Sequence, residues 1–202
     1  MDVDSTLITA EVIELLADRA GSRELVARLT AAAMRGELDF TSSLHARVAT
    51  LAGLPATVLD EVRAELTLTP GARELLDELG RRDWPVGLVS GGFAEVVVPL
   101  ADELGISLVR ANRLQVVDGR LTGLVDGPVV DRAAKAQALR DWALASGVDL
   151  VDTVAIGDGA NDLEMMALAG LSVAFEAKPA VARVADVAIR GRLDAVLALL
   201  DG

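Results

Sequence analysis

The sequence predicts an α/β fold: a Rossmann-like parallel sheet with helices on both faces and an inserted helical cap. Three patterns point to it. From about residue 69 to the end, short apolar runs alternate with helical periodicity, as in a parallel sheet covered by helices. Between residues 10 and 67 the periodicity is helical throughout, with no strand pattern to interrupt it. Acidic and small polar residues collect where two apolar runs end, at Ser90-Gly91-Gly92 and at GDGAND, residues 157–162. Ligands of open α/β sheets sit at those carboxyl ends of the strands.

The chain opens Met1-Asp2-Val3-Asp4-Ser5-Thr6, which leaves almost no residues for a strand ahead of Asp2, although the position asks for one. The first core strand is therefore expected to be truncated, either by loss of the natural beginning or by a mistaken start codon. The helical block follows. Val12, Ile13, Leu15 and Leu16 share a face, then Leu25, Val26 and Leu29, then Leu44, Val48 and Leu51, all at three-to-four-residue spacing. Thr69-Pro70-Gly71 reads as a helix start, followed by Leu75, Leu76 and Leu79. A strand is expected at 85–92, a helix over 93–104 and a strand at 106–111. A hairpin at 113–125 turns at Asp118-Gly119, a pair suited to a tight β-turn. A helix over about 132–146, a strand at 151–158, a helix over 161–169 and a strand at 171–175 come next. A short helix after Pro179, a strand at 186–189 and a helix from Leu193 close the chain. Residues 1–9 and 68–202 are expected to form the core and 10–67 the cap.

Composition narrows the function. The 202 residues include 31 acidic and 19 basic side chains, a net charge of −12, the wrong sign for tracking a phosphate backbone. No apolar run approaches the roughly 18 residues of a membrane span. A nucleic-acid or membrane partner is therefore not expected. The absence of cysteine excludes a disulfide framework, a thiolate zinc site and a cysteine nucleophile. With no secretory leader pattern, it favours a cytoplasmic location. So acidic a chain binds a small phosphorylated molecule only where a metal ion or a few cationic side chains concentrate positive charge at one point.

The motifs offer such a point. Asp2 and Asp4, two apart on an extended segment, point the same way. One is free to attack phosphorus, and the other to give and later take a proton. Read alone, the pair is equally an acidic tail or a helix cap. Asp158 and Asp162 are hard oxygen donors suited to magnesium, although Asp162 also suits a helix cap. Ser90 and the glycines after it can face a phosphate oxygen, and Lys135 can neutralise a transferring phosphoryl group. A lone lysine that opens a helix is more often solvated. His45, the only histidine, reads as a surface or packing residue, and Trp84 and Trp142 read as packing.

Taken together, Asp-x-Asp-x-Thr, a helical insertion, a strand ending in Ser, a Lys and a strand ending in Gly-Asp-Gly-x-x-Asp resemble the haloacid dehalogenase superfamily of phosphotransferases. DVDSTLI, Glu11 in EVIELLA, AMRGELDF, SLHARVATLAGL, LVSGGF and VAIGDGAND are similar to the phosphoserine phosphatase family over essentially the whole length. The resemblance implies Mg²⁺-dependent hydrolysis of O-phospho-L-serine to L-serine and phosphate, the last step of serine biosynthesis, through an aspartyl-phosphate. It implies Asp2 as nucleophile and Asp4 as general acid and base. The metal would be held by Asp2, the Asp4 backbone carbonyl and Asp158. Thr6, Ser90, Gly91 and Lys135 would hold the phosphoryl oxygens, with Asn161 ordering the site. Glu11 would meet the substrate ammonium and Arg47 its carboxylate, while Met34 and Phe40 would close the pocket. The competing readings are another small phosphomonoester or a phosphotransferase acceptor, a receiver-like signalling domain, and an inactive remnant. Oligomeric state is not legible in the sequence.

Overall fold

In the computed structural model, which describes residues 1–34 and 38–200, the apolar runs of the second part become two three-stranded sheets. One holds β1 (Gly87–Phe93), β2 (Leu108–Val117) and β3 (Arg120–Asp126), and the other β4 (Val154–Gly157), β5 (Leu171–Phe175) and β6 (Val187–Ile189). All pairings are parallel except the β2–β3 hairpin. Residues 1–3 lie between the two sheets. Val89 N–H donates to the Met1 carbonyl at 3.0 Å, the Met1 nitrogen donates to the Gly87 carbonyl at 2.8 Å, and Asp2 N–H donates to the Ile156 carbonyl at 2.9 Å. The strand position that the sequence asks for beside Asp2 is thus filled, as far as these residues reach, by Met1 and Asp2 themselves.

Strand alternation separates two apolar cores. Leu88, Ile156 and Val173 point into the larger one, and their neighbours Val89, Ala155 and Ala174 into the smaller, as a side-chain period of two demands. The larger core is covered by α5 (Ala72–Arg81), through Ala72 and Leu75, and by α6 (Ala94–Glu103), through Val96, Val97 and Leu100. The smaller is covered by α7 (Arg132–Ser146), α8 (Leu163–Met166) and α9 (Pro179–Ala182), through Ala138, Met165 and Val181. Helices therefore lie on both faces. Among the described residues no helix is long and apolar enough to cross a membrane.

The block between residues 10 and 67 is helical, as its periodicity requires: α1 (Val12–Arg19), α2 (Arg23–Met34), α3 (Phe40–Ala49) and α4 (Val58–Glu65). It joins the sheets through an antiparallel neck, in which Thr9 N–H donates to the Thr67 carbonyl at 3.0 Å and Thr69 N–H to the Leu7 carbonyl at 2.9 Å. A second attachment is the β2–β3 hairpin. Gly53 N–H donates to the Leu121 carbonyl at 2.8 Å, Leu121 N–H to the Leu54 carbonyl at 2.9 Å and Ala56 N–H to the Gly119 carbonyl at 2.8 Å. Asp118 and Gly119 have φ of 49° and 72°, the left-handed pair of a tight hairpin turn.

Several expectations are corrected. The strand at 106–111 and the first arm of the hairpin are one continuous strand, β2, parallel to β1 over its first part and antiparallel to β3 over its second. No glycine or proline separates Arg110 from Leu114, so nothing breaks the extended backbone at the change of partner. The helix expected over 161–169 is a 3₁₀ turn, Ala160–Asp162, followed by α8, and the last helix, α10 (Leu197–Leu200), is preceded by a 3₁₀ turn at Leu193–Val196. Trp84 is 44% exposed rather than packed, with the Arg82 guanidinium 5.2 Å from its ring. Trp142 packs as expected, against the smaller core, with Arg110 5.9 Å from its ring. His45 lies exposed on α3.

Gly123 shows how closely the helical block approaches the hairpin. Its φ is +83°, and a Cβ there would meet the Ala52 Cβ at 3.0 Å and the Ala49 carbonyl oxygen at 3.1 Å. Gly123→Ala is expected to cost about 2 kcal/mol, from the left-handed backbone and the crowding together. A thermal melt should show a fall of roughly 4–8 °C; an unchanged melting temperature would mean that the hairpin does not clasp the cap.

Candidate active site

A buried ion cluster lies at the carboxyl ends of β1 and β4. Lys135, on the first turn of α7, is wholly buried, and its ammonium donates to Asp2 Oδ1 and, at 2.7 Å, to Asp162 Oδ1. Asp131 caps α7 by accepting from Ala134 N–H at 2.8 Å, which sets the turn from which Lys135 projects. Asp162 is likewise wholly buried, and its other oxygen accepts from Gly159 N–H at 3.0 Å. It is therefore both a turn cap and the partner of Lys135, with both oxygens engaged by the protein. Burial lowers the Lys135 ammonium, but Asp2 and Asp162 outweigh it and raise its pKa above the ordinary value.

Beyond Asp2 the chain turns sharply. The Val3 carbonyl accepts from the N–H groups of Thr6, Leu7 and Ile8, and Ser5 takes a left-handed φ of 60°. This turn places the Asp4 carboxyl at the start of α1, where the Val12 N–H draws its pKa down against the effect of burial. It also lets Ser5 Oγ donate to Glu11 Oε1 at 2.7 Å. Asp4 presses against Gly92, where a Cβ would meet Asp4 Oδ2 at 2.6 Å, so glycine is required there by close approach. The Ser90 hydroxyl, wholly buried, accepts from Gly92 N–H at 2.7 Å. Asn112 holds the strand end from the other side. Its Nδ2 donates to the Gly91 carbonyl at 2.8 Å, and its Oδ1 accepts from Val130 N–H at 2.7 Å.

A cavity of about 670 Å³ opens between these strand ends and the helical block. Asp2, Asp4, Asp158, Asn161 and Gly91 line one side, and Glu11, Phe40 and Arg47 the other. Lys135, Ser90 and Thr6 are fully buried at this end of the sheet. Phe40 lies over Gly91, with its ring tip 3.1 Å from where a Cβ would stand. Met34 ends α2, and its side chain lies outside the described residues. Several contributors escape a reading of the sequence: Ser5, which holds Glu11; Asn112; and Lys178 and Arg132, which line the same cavity. Asn112 carried a signal, since asparagine is depleted inside strands. The others depend on tertiary placement.

The electrostatics call for a cation. Burial pushes Asp2 up to about 7 against the pull of Lys135, and Asp158 up to about 6, with Asp162 adding to both. Asp4 is raised well above the carboxylate range by burial, then by Glu11 and Asp2. One oxygen each of Asp2, Asp158 and Asp162 lies within 4.8 Å of the others. Asp4 Oδ1 and Thr6 Oγ1 are buried without a hydrogen-bond partner among the described residues. Concentrated carboxylates with unsatisfied oxygens fit a hard divalent ion.

The sequence profile of the haloacid dehalogenase-like hydrolases matches residues 1–167. The chain belongs to that family. A phosphoserine phosphatase of Streptomyces coelicolor is 61% identical over 201 residues, 99% of this chain and 49% of its own length. That of Streptococcus thermophilus is 54% identical over 181 residues, 90% of this chain and 84% of its own. The chain thus spans about half the length of some curated relatives and most of others. A solved structure of a phospho-aspartyl intermediate analogue of phosphoserine phosphatase superposes with a TM-score of 0.93 at 42% identity, covering 98% of this chain and 96% of the other. A substrate-bound phosphoserine phosphatase complex superposes with the same score and identity, covering 98% and 95%.

Lys135→Met should leave Asp2 and Asp162 buried together without a counter-charge. The expected loss is about 3–5 kcal/mol of unfolding free energy, read by urea titration. A loss below about 1 kcal/mol would show that the ammonium does not hold the site together.

Proposed function

We propose that the chain hydrolyses O-phospho-L-serine to L-serine and phosphate with Mg²⁺, through an aspartyl-phosphate on Asp2. The observation that carries this reading is the cavity that sets Asp2 and Asp4 opposite Glu11 and Arg47. An amino-acid phosphate presents two anionic groups and one cation. Lys135 together with a bound Mg²⁺, Arg47 and Glu11 match them in sign, and an arginine fork suits a carboxylate.

In the first step the Asp2 carboxylate attacks phosphorus while the bond to the serine oxygen breaks. Asp4, whose raised pKa keeps its proton available, delivers that proton to the leaving oxygen. Water then attacks the aspartyl-phosphate, Asp4 takes its proton, and phosphate leaves with Asp2 restored. Lys135, Ser90, Gly91 and Thr6 hold the phosphoryl oxygens, and Asn161 orders the loop beside them. Asp2, Asp158 and the Asp4 carbonyl are the Mg²⁺ ligands in this reading, and the ion supplies charge neutralisation to the transferring phosphoryl group. Arg47 is drawn down by burial, yet Glu11 and Asp4 oppose the shift, and it stays charged at neutral pH. Phe40 closes the pocket against water. Residues 10–67 act as a cap domain over a core of residues 1–9 and 68–202. We place the enzyme in the cytoplasm, in keeping with its lack of cysteine. Another small phosphomonoester is the competing reading, which the substrate panel below distinguishes.

Two outcomes follow. Phosphate release from O-phospho-L-serine should require Mg²⁺, stop with EDTA and fall by about 10³-fold or more in Asp2→Asn; release that survives in Asp2→Asn would sink the nucleophile assignment. Turnover of other phosphomonoesters but not phosphoserine would sink the substrate. Independently of activity, saturating Mg²⁺ should raise the melting temperature by mass action, about 2.7 kcal/mol at a hundredfold excess over its dissociation constant. Asp158→Asn should abolish most of that shift, and an equal shift in the variant would rule out Asp158 as a ligand.

A further inference from the structure

One hydroxyl in the cap has no role in this scheme. Ser43 lies on α3, is 1% exposed and lines the cavity. Its Oγ has no hydrogen-bond partner among the described residues. Other hydroxyls around the same helix are satisfied: Ser42 Oγ donates to Asp39 Oδ2 at 2.5 Å, and Thr50 Oγ1 donates to the Arg47 carbonyl at 2.7 Å. A helical serine ordinarily bonds back to the carbonyl four residues earlier. Here the Asp39 carbonyl accepts from Ser43 N–H, and Oγ is left over. A buried hydroxyl without a partner is costly unless a ligand completes it.

Arg47 stands one turn later on the same helix. Side chains four apart share a face, and the later one leans back over the earlier turn. Arg47 does so: its Nε donates to the Ser43 carbonyl at 3.2 Å, which lays the guanidinium stem over Ser43. Both residues line the cavity with Glu11. A carboxylate offers about four lone-pair sites. An arginine fork fills two, leaving room for a further donor from the same face.

We propose that Ser43 is a specificity-determining residue whose hydroxyl donates to the substrate carboxylate beside Arg47. This rests on the reading that the substrate is an amino-acid phosphate. The hydroxyl selects for that carboxylate and has no part in the chemistry at phosphorus. The same cavity holds a second unpartnered hydroxyl, Thr30 Oγ1 on α2.

The test is Ser43→Ala assayed on O-phospho-L-serine and on O-phosphoethanolamine, which keeps the phosphate and ammonium but lacks the carboxylate. The KM for phosphoserine should rise about tenfold, the worth of one hydrogen bond to a charged group, with kcat within about twofold. The KM for phosphoethanolamine should not move, and the melting temperature should hold or rise because an unsatisfied hydroxyl is gone. Equal KM changes on both substrates, no change on either, or a melting temperature several degrees lower would each overturn the proposal and make Ser43 a packing residue. A separate result identifies failure of the parent reading: if the unmutated chain does not favour phosphoserine over phosphoethanolamine, the carboxylate is not recognised at all, and the proposal falls with it.

Discussion

The rest of the structure is arranged around one buried cation. Lys135 lies wholly out of solvent between Asp2 and Asp162, and an ammonium in that position is tolerated only with partners that complete its charge and hydrogen bonds. Those partners come from the turn after β4 and from the first residues of the chain. The ion cluster therefore ties α7 to both. Asp162 can serve it only because Gly159 N–H occupies its second oxygen and fixes its direction. Replacing such a cluster with apolar residues is often no loss to stability. The cluster is thus better accounted for by the site it forms than by its contribution to stability.

The architecture was legible in the sequence because its signals are periodic and local. Helical spacing in residues 10–67, alternating runs after residue 69 and the Asp118-Gly119 turn all correspond to elements of the structure. The misses share a cause. The continuity of β2 through the change from one partner to the other depends on what lies beside it, which no local window contains. Trp84 lies at the surface, with the Arg82 guanidinium over its ring, a placement its local sequence does not announce. Asp2, Asp4, Asp158 and Ser90 could be singled out in the sequence because small residues and carboxylates cluster after apolar runs, and the structure brings them to one end of the sheet. Lys135 was weak in isolation, since a lysine opening a helix is usually solvated, and only the fold brings two carboxylates to it. Asn112 is held by partners 21 and 18 positions away, and Ser5 by a local turn whose geometry no spacing announces.

The cap is held at two places of different character. The neck at residues 7–9 and 67–69 is a pair of extended segments, while the hairpin grips residues 53–56 through main-chain bonds and the close approach at Gly123. Between them, α3 carries Phe40 onto Gly91 and Arg47 over the cavity. The carboxylates at the strand ends and the side chains of the helical block thus come from separate parts of the chain and meet at one cavity.

The bridging position of residues 1–3 has a consequence for folding. The β2–β3 hairpin and the β4–β5–β6 sheet join segments close in sequence, but Met1 meets Gly87 across 86 positions, and Asp2 meets Ile156 across still more of the chain. Contacts of such separation carry the largest loop-closure entropy and are favoured only after the segments they join have order. The ion pair between Asp2 and Lys135 spans 133 positions, so the carboxylate at the centre of the site sits among the contacts that cost most to close in the unfolded chain.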